Sequence, residues 1–247
     1  MTYTANYTVE TTAKSFAIVA HLRHHGPTGV SELSDELGVP KSIVHNHVST
    51  LRELGYVRKR DGAYRLSLQF LETGVAVRSQ SALFHRMEHR VNAVARQFDA
   101  VAFLLERDGA TGVVTHVADG GGVDAAFDLG ERLEPTAAPL GVALLGELPV
   151  ADRDAILNEC DDDEPALDAL DRTVFIDTPK GSSSPIAAVG VEVDGDVGSV
   201  GVQLPHGIGS DGEGEVRDTL TSLSVVPTPE GERRRSFATA KHSWLGE

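Results

Sequence analysis

A single cysteine, Cys160, stands in a chain of 247 residues. It has no partner for an intramolecular disulfide, and alone it makes no zinc site. No run of about eighteen apolar residues is present, which excludes a membrane-spanning helix. The opening MTYTANYTVETTAKS lacks a cationic start followed by an apolar core. No secretory signal is therefore expected, and the expected location is cytoplasmic. Lysine is also scarce, with 5 residues against 17 arginines.

Acid outweighs base, giving a formal net charge of −15, but the excess is uneven. Residues 1–90 hold eleven Lys/Arg and eight Asp/Glu, whereas residues 91–247 hold eleven and twenty-nine. Two readings fit, and both can hold. One is an acidic effector domain joined to a near-neutral nucleic-acid module. The other is a halophile's protein, whose acidic surface stays solvated in molar salt.

The apolar spacing in AKSFAIVAHLRHH predicts a helix over 13–25 with Phe16, Val19, Ala20 and Leu22 on one face. Gly26-Pro27 ends it. SELSDELG forms the next helix, with Ser31 as its N-cap candidate and Glu32 and Asp35 favouring its start. Gly38-Val39-Pro40 is a tight connection, because Pro40 has no N–H to continue a helix. A third helix then runs from Lys41 or Ser42 to Leu54, burying Ile43, Val44, Val48, Leu51 and Leu54. Gly55 is its stop.

The opposite face of that third helix presents Lys41, Ser42, His45, Asn46, Ser49, Thr50 and Arg52. A helix-turn-helix puts the first half of such a helix into the major groove. Asn46 has the donor and acceptor pair that matches adenine N6 and N7, and serine or threonine hydroxyls reach base edges or phosphate. Lys41 and Ser42 sit where helix-terminal N–H groups favour a phosphate. A plain solvated face fits that helix equally well when it is considered alone. The next residues change the balance. Tyr56-Val57-Arg58-Lys59-Arg60 and Ala63-Tyr64-Arg65-Leu66 flank Asp61-Gly62, a hairpin signal. Arg58, Lys59, Arg60 and Arg65 near its tip suit phosphates or a narrow minor groove. Three helices and a basic hairpin predict a winged helix-turn-helix. The DNA-binding set is Ser31, Lys41, Ser42, His45, Asn46, Ser49, Thr50, Arg58, Lys59, Arg60 and Arg65.

GVSELSDELGVPKSIVHNHVSTLRELGYVRKRDGAYRLSLQFLETG, residues 29–74, resembles the N-terminal domain of IclR-type transcriptional regulators. Downstream, LEPTAAPLGVALLGELPVADRDAIL (133–157) and SSPIAAVGVEVDGDVGSVGVQLP (183–205) resemble that family's small-residue helix start and its closing strands. The resemblance implies an α+β chain in four parts. These are a winged helix-turn-helix at 1–68, a linker helix region at 69–90, a GAF-like effector and oligomerisation domain at 91–226, and a tail at 227–247. It also implies a homodimer or dimer of dimers on a palindromic double-stranded operator. The implied effector is a small organic acid or sugar derivative, held by Thr136, Ala137, Ala138, Ser182, Ser183, Ser184, Gly201 and Gln203. The usual polar residues of the last strand are replaced here by Gly201 and Gln203, and the loop before IAA is short.

The residues of the second half support an α/β arrangement independently. Val101–Leu105 and Gly112–Val117 read as strands, Ala138–Leu148 and Ala151–Cys160 as helices. Ile186–Val193 and Val197–Leu204 read as a hairpin around Asp194-Gly195-Asp196, and Glu213–Val225 as the last helix. A mainly antiparallel sheet with helices on one side is expected. His21/His25 and His85/His89 have helical i,i+4 spacing, but no further ligands complete a metal site. Asp119-Gly120-Gly121-Gly122 lacks the lysine ending of a phosphate loop, and Cys160 beside Asp161 is poorly placed for a thiolate. No catalytic residue, metal or cofactor is expected, and no membrane partner. Two function classes remain open: a ligand-responsive, sequence-specific regulator, or an architectural or adaptor DNA-binding protein whose second domain serves only dimerisation.

Overall fold

The computed structural model describes residues 9–121, 124–158, 174–179, 184–204 and 210–224. The expected sites at Ser182 and Ser183, Cys160 and the tail at 227–247 lie outside these residues.

The chain starts with three helices, α1 (Glu10–His25), α2 (Val30–Leu37) and α3 (Lys41–Glu53). Their shared core is Ile18, Leu22, Leu33, Val44 and Val48, closed by Val57 and Tyr64 of the hairpin. α1 begins three residues earlier than its apolar spacing predicts. It also turns a different face inward: Ile18, His21 and Leu22 are buried, whereas Phe16 is 65% exposed. Ala20 is exposed too. Leu54 is likewise exposed, because α3 stops at Glu53 and the chain turns away. Gly29, not Ser31, caps α2, so Ser31 lies in its first turn. Gly38 (φ 63°) ends α2 in the left-handed region that glycine adopts at little cost.

Strands β1 (Val57–Arg60) and β2 (Ala63–Leu66) pair antiparallel across Asp61-Gly62. Both turn residues have positive φ, as a two-residue hairpin turn of the primed kind requires. A second tie fixes the wing to the helices. Thr28 and Tyr64 exchange backbone hydrogen bonds of 2.9 and 2.8 Å between the α1–α2 connection and β2.

Helix α4 (Gln69–Arg78) follows and buries none of its residues. Helix α5 (Ala82–Gln97) is continuous across 90/91, where a domain boundary was expected, and its Leu83, Met87, Val91 and Val94 belong to the second core.

That second half is a six-stranded sheet of β3 (Val101–Asp108), β4 (Thr111–Asp119), β5 (Arg132–Leu133), β6 (Phe175–Asp177), β7 (Ile186–Val193) and β8 (Asp196–Gln203). The order is β5-β4-β3-β8-β7-β6, and every pair is antiparallel. Helices do not lie on one side only. α5 and α8 (Ser210–Ser224) cover one face. α6 (Pro139–Glu147), with Ile156 of α7 (Val150–Leu157), covers the other. The reason is visible in β3 and β7. Val101–Leu105 and Ile186–Val191 are buried at every position, the pattern of strands covered on both faces.

Leu33 is fully buried between the three N-terminal helices. Leu33→Ala is expected to destabilise this module by about 2–5 kcal/mol, read as an earlier loss of helical signal in chemical denaturation while the sheet transition stays in place.

Candidate nucleic-acid interface

Helix α3 owes its place to one apolar stripe. Val44 and Val48 are fully buried, one turn apart, against Leu33 and Ile18. Pro40 precedes the helix and its carbonyl accepts the N–H groups of Ile43 (2.9 Å) and Val44 (3.0 Å). The helix therefore starts at Lys41 with its first N–H groups at the surface.

At 100° per residue, Lys41, Arg52, His45, Ser49, Ser42 and Asn46 follow one another round an arc that starts beside that stripe, at Lys41, and ends opposite it, at Asn46. All six are exposed. His45 and Ser49 lie at its centre, with Ser49 Oγ 3.5 Å from His45 Nδ1. Asn46 and Thr50 lie at its edge, and the Thr50 hydroxyl donates to the Asn46 carbonyl at 3.1 Å. Both residues also line a groove of about 860 Å³ between α1, α3 and α4, whose apolar wall includes Phe16, Leu54 and Phe70. His47 turns away from the arc, and its Nδ1 is 2.8 Å from Ser15 Oγ on α1.

The wing sorts its cations by face. Strand alternation sends Val57 and Lys59 one way and Arg58 and Arg60 the other. Lys59 lies over the Tyr64 ring, 5.2 Å from its centroid, on the inner face. Arg58 stands directly opposite Arg65, so Arg58, Arg60 and Arg65 share the outer face. Cross-strand like charges oppose each other, and the nearby acid is Asp61, 3.4 Å from Arg60 and largely solvated. The cations do not gather equally at the tip, as the sequence predicts. Arg58 and Arg60 are exposed on one face, Arg65 beside them is half-buried with its Nε enclosed, and Lys59 sits apart on Tyr64. Ser31 is exposed in the first turn of α2.

The expected effector residues divide. Ala138 caps α6, Pro139 opens it, and Thr136 is half-buried in the turn before them. Ala137 is exposed. Gly201 and Gln203 of β8 face the same side of the sheet, as does Ser199, whose buried hydroxyl donates to the Leu140 carbonyl at 2.7 Å. A Cβ on Gly201 would stand 2.9 Å from Leu140, so α6 sits directly on that glycine. Gln203 is 4% exposed and both ends of its amide are occupied. Its Nε2 donates to the Asp124 carbonyl (3.0 Å) and its Oε1 accepts the Ala126 N–H (2.9 Å). Ser184 is buried where β7 begins. Sequence reasoning missed residues 124–127, where Phe127 meets Phe103 edge-on at 5.5 Å. No motif marks that segment.

Among the described residues, no helix is long and apolar enough to cross a membrane, and no group of three or more His, Cys, Asp or Glu is placed to hold a metal.

This geometry agrees with known proteins. The family model of the IclR helix-turn-helix domain matches residues 11–61. The HTH-type transcriptional regulator KipR of Bacillus subtilis is 35% identical over 101 residues, 40% of this chain and 40% of that protein. The Probable HTH-type transcriptional regulator ArcR of Halobacterium salinarum is 26% identical over 147 residues, 58% of this chain and 56% of that protein. The chain thus spans about half the length, or less, of these curated relatives. Among solved structures, the Thermotoga maritima IclR has a TM-score of 0.70 at 17% identity, covering 88% of this chain and 96% of that one. An IclR homologue from Microbacterium hydrocarbonoxydans, complexed with 4-hydroxybenzoate, has a TM-score of 0.66 at 15% identity, covering 87% and 98%. Residues 11–61 match the IclR helix-turn-helix domain, in a chain whose α+β fold is that of the IclR regulator structures.

Proposed function

We propose that this protein is a sequence-specific DNA-binding transcription regulator. One observation carries the reading. The exposed polar arc of α3 stands in the same small module as the exposed Arg58 and Arg60, with the half-buried Arg65 directly opposite Arg58. Two like charges so placed oppose each other in the free protein and are relieved by a polyanion. His45, Ser49, Ser42 and Asn46 read base edges, while Lys41, Thr50 and the wing arginines hold phosphates. Lys59 and Ser31 contribute at the margin, Lys59 because its ammonium is drawn towards Tyr64.

The working unit is a homodimer or dimer of dimers on a palindromic operator, in keeping with the oligomeric habit of IclR-type regulators. Helix α4 supports this. Leu68, Leu71 and Val75, at i, i+3 and i+7, leave an apolar stripe 48–69% exposed, which a second copy would cover. The protein works in the cytoplasm. Its acidic second half suits a salt-rich interior.

Control by a small organic acid or sugar-derived effector in the α6-side pocket follows the homologue complexed with 4-hydroxybenzoate. A second reading has its own support. Leu140 fills the space over Gly201, and the Gln203 amide is satisfied within the chain. On that reading the pocket is vestigial and the C-terminal domain serves dimerisation. Thermal shift against a panel of organic acids separates the two, because stabilisation by any acid favours effector control.

Arg58→Ala, Arg60→Ala and Arg65→Ala are each expected to reduce the slope of log K against log salt by about 1, with little change in preferred sequence. Asn46→Ala is expected to cost about 1–3 kcal/mol on the preferred site and relax one base position. Fluorescence anisotropy over a salt series measures both, and an unchanged slope in all three arginine variants contradicts the wing's role. Leu71→Asp is expected to lower the mass seen by light scattering to that of a smaller assembly.

A further inference from the structure

Within one copy of the chain, helix α4 is a strut with little holding it along its length. At its start, Phe70 meets Tyr56 of the winged module, ring centroids 5.1 Å apart. Ser67, two residues before the helix, is tied down as well, since its hydroxyl donates to the Gly55 carbonyl at 2.5 Å. No residue of α4 is buried. At its end, Arg78 reaches the sheet: its Nη1 donates to the Thr115 carbonyl of β4 at 3.4 Å. Its guanidinium lies over the Phe84 ring of α5, 4.7 Å from the centroid.

A histidine shares that ring. His116 of β4 meets Phe84 edge-on at 5.8 Å, and its Nε2 is 3.1 Å from Asn92 Oδ1 on α5. An amide oxygen only accepts, so the neutral ring carries its proton on Nε2 and a second proton goes to Nδ1. The groups facing His116 are few. Glu88, Asn92 and Phe84 come from α5 and Arg78 from α4. On β3, Leu104 is paired with it. Nearby Glu106 already accepts from Ser81 (2.5 Å) and Thr115 (2.6 Å). His85 of α5, which also meets the Phe84 ring edge-on, lies 2.8 Å from the Ser79 carbonyl through its Nε2.

We infer that Arg78 is the residue through which the C-terminal sheet holds the linker helix, and that a proton on His116 weakens that hold. Two cations would then share one aromatic ring with Glu88 as the counter-charge. The winged module is connected to the sheet through α4, so its placement becomes sensitive to pH.

The sign follows from the site. Burial holds His116 below the ordinary imidazole range; Glu88 pulls it upward and Arg78 lowers it further. A depressed histidine leaves the latched arrangement unpenalised at high pH. Release of Arg78 removes its share of that lowering, so the released arrangement takes up the proton first as pH falls, and the latch loses stability.

Hydrogen–deuterium exchange on the full chain tests this, with rates corrected for intrinsic exchange and compared at about pH 8 and about pH 5.5, either side of the histidine range. Protection of residues 69–78 is expected to fall about five-fold on acidification, the size of one exposed cation–π contact. Arg78→Ala should show the low protection at both pH values, and His116→Gln the high protection at both. Wild-type protection in Arg78→Ala overturns the proposal, as does a wild-type pH response in His116→Gln. If Arg78→Ala also loosens β7 and β8, the His116→Gln comparison decides.

Discussion

The N-terminal module depends on how α3 is buried. Val44 and Val48 are fully enclosed by Leu33, Ile18 and the wing residues Val57 and Tyr64. That single stripe fixes the helix's rotation and so decides which side chains face outward. The Thr28–Tyr64 bridge then fixes the wing against the same core. Polar residues on the outer arc are positioned by apolar residues that never meet DNA. This is how a small helical domain gives precision to groups at its surface.

Charge is arranged in the same spirit. A net charge of −15 would repel a polyanion if it were spread evenly. It is carried beyond residue 90, while the wing exposes Arg58 and Arg60 on one face, beside the half-buried Arg65. Screening shortens the reach of the distant acids to about 10 Å at moderate salt and about 3 Å at molar salt. At high salt the counterion-release drive also shrinks, so hydrogen bonds from the α3 arc carry more of the recognition.

The winged helix was legible because its signals are local. Pro40, Gly38 and Asp61-Gly62 each impose a backbone conformation that sequence alone reveals. The inward face of α1 was not legible, since Phe16 and Ile18 are equally apolar and tertiary packing chose between them. The second helical layer of the sheet was missed for a related reason. Val101–Leu105 is apolar at every position, which is the sign of burial on both faces, but short strand runs do not say what covers them. The role of Gln203 depended on Asp124 and Ala126, nearly eighty residues away in sequence. The Arg78 junction likewise joins α4, α5 and β4, and no spacing rule links those residues.

The direct test of sequence-specific regulation is selection from a random pool of double-stranded DNA by the full chain, followed by sequencing of what is bound. Enrichment of one two-fold symmetric motif, lost when the outward arc of α3 is replaced by alanine, is the predicted result. Retention of DNA with no enriched motif would contradict it and leave an architectural protein that coats duplexes without reading them.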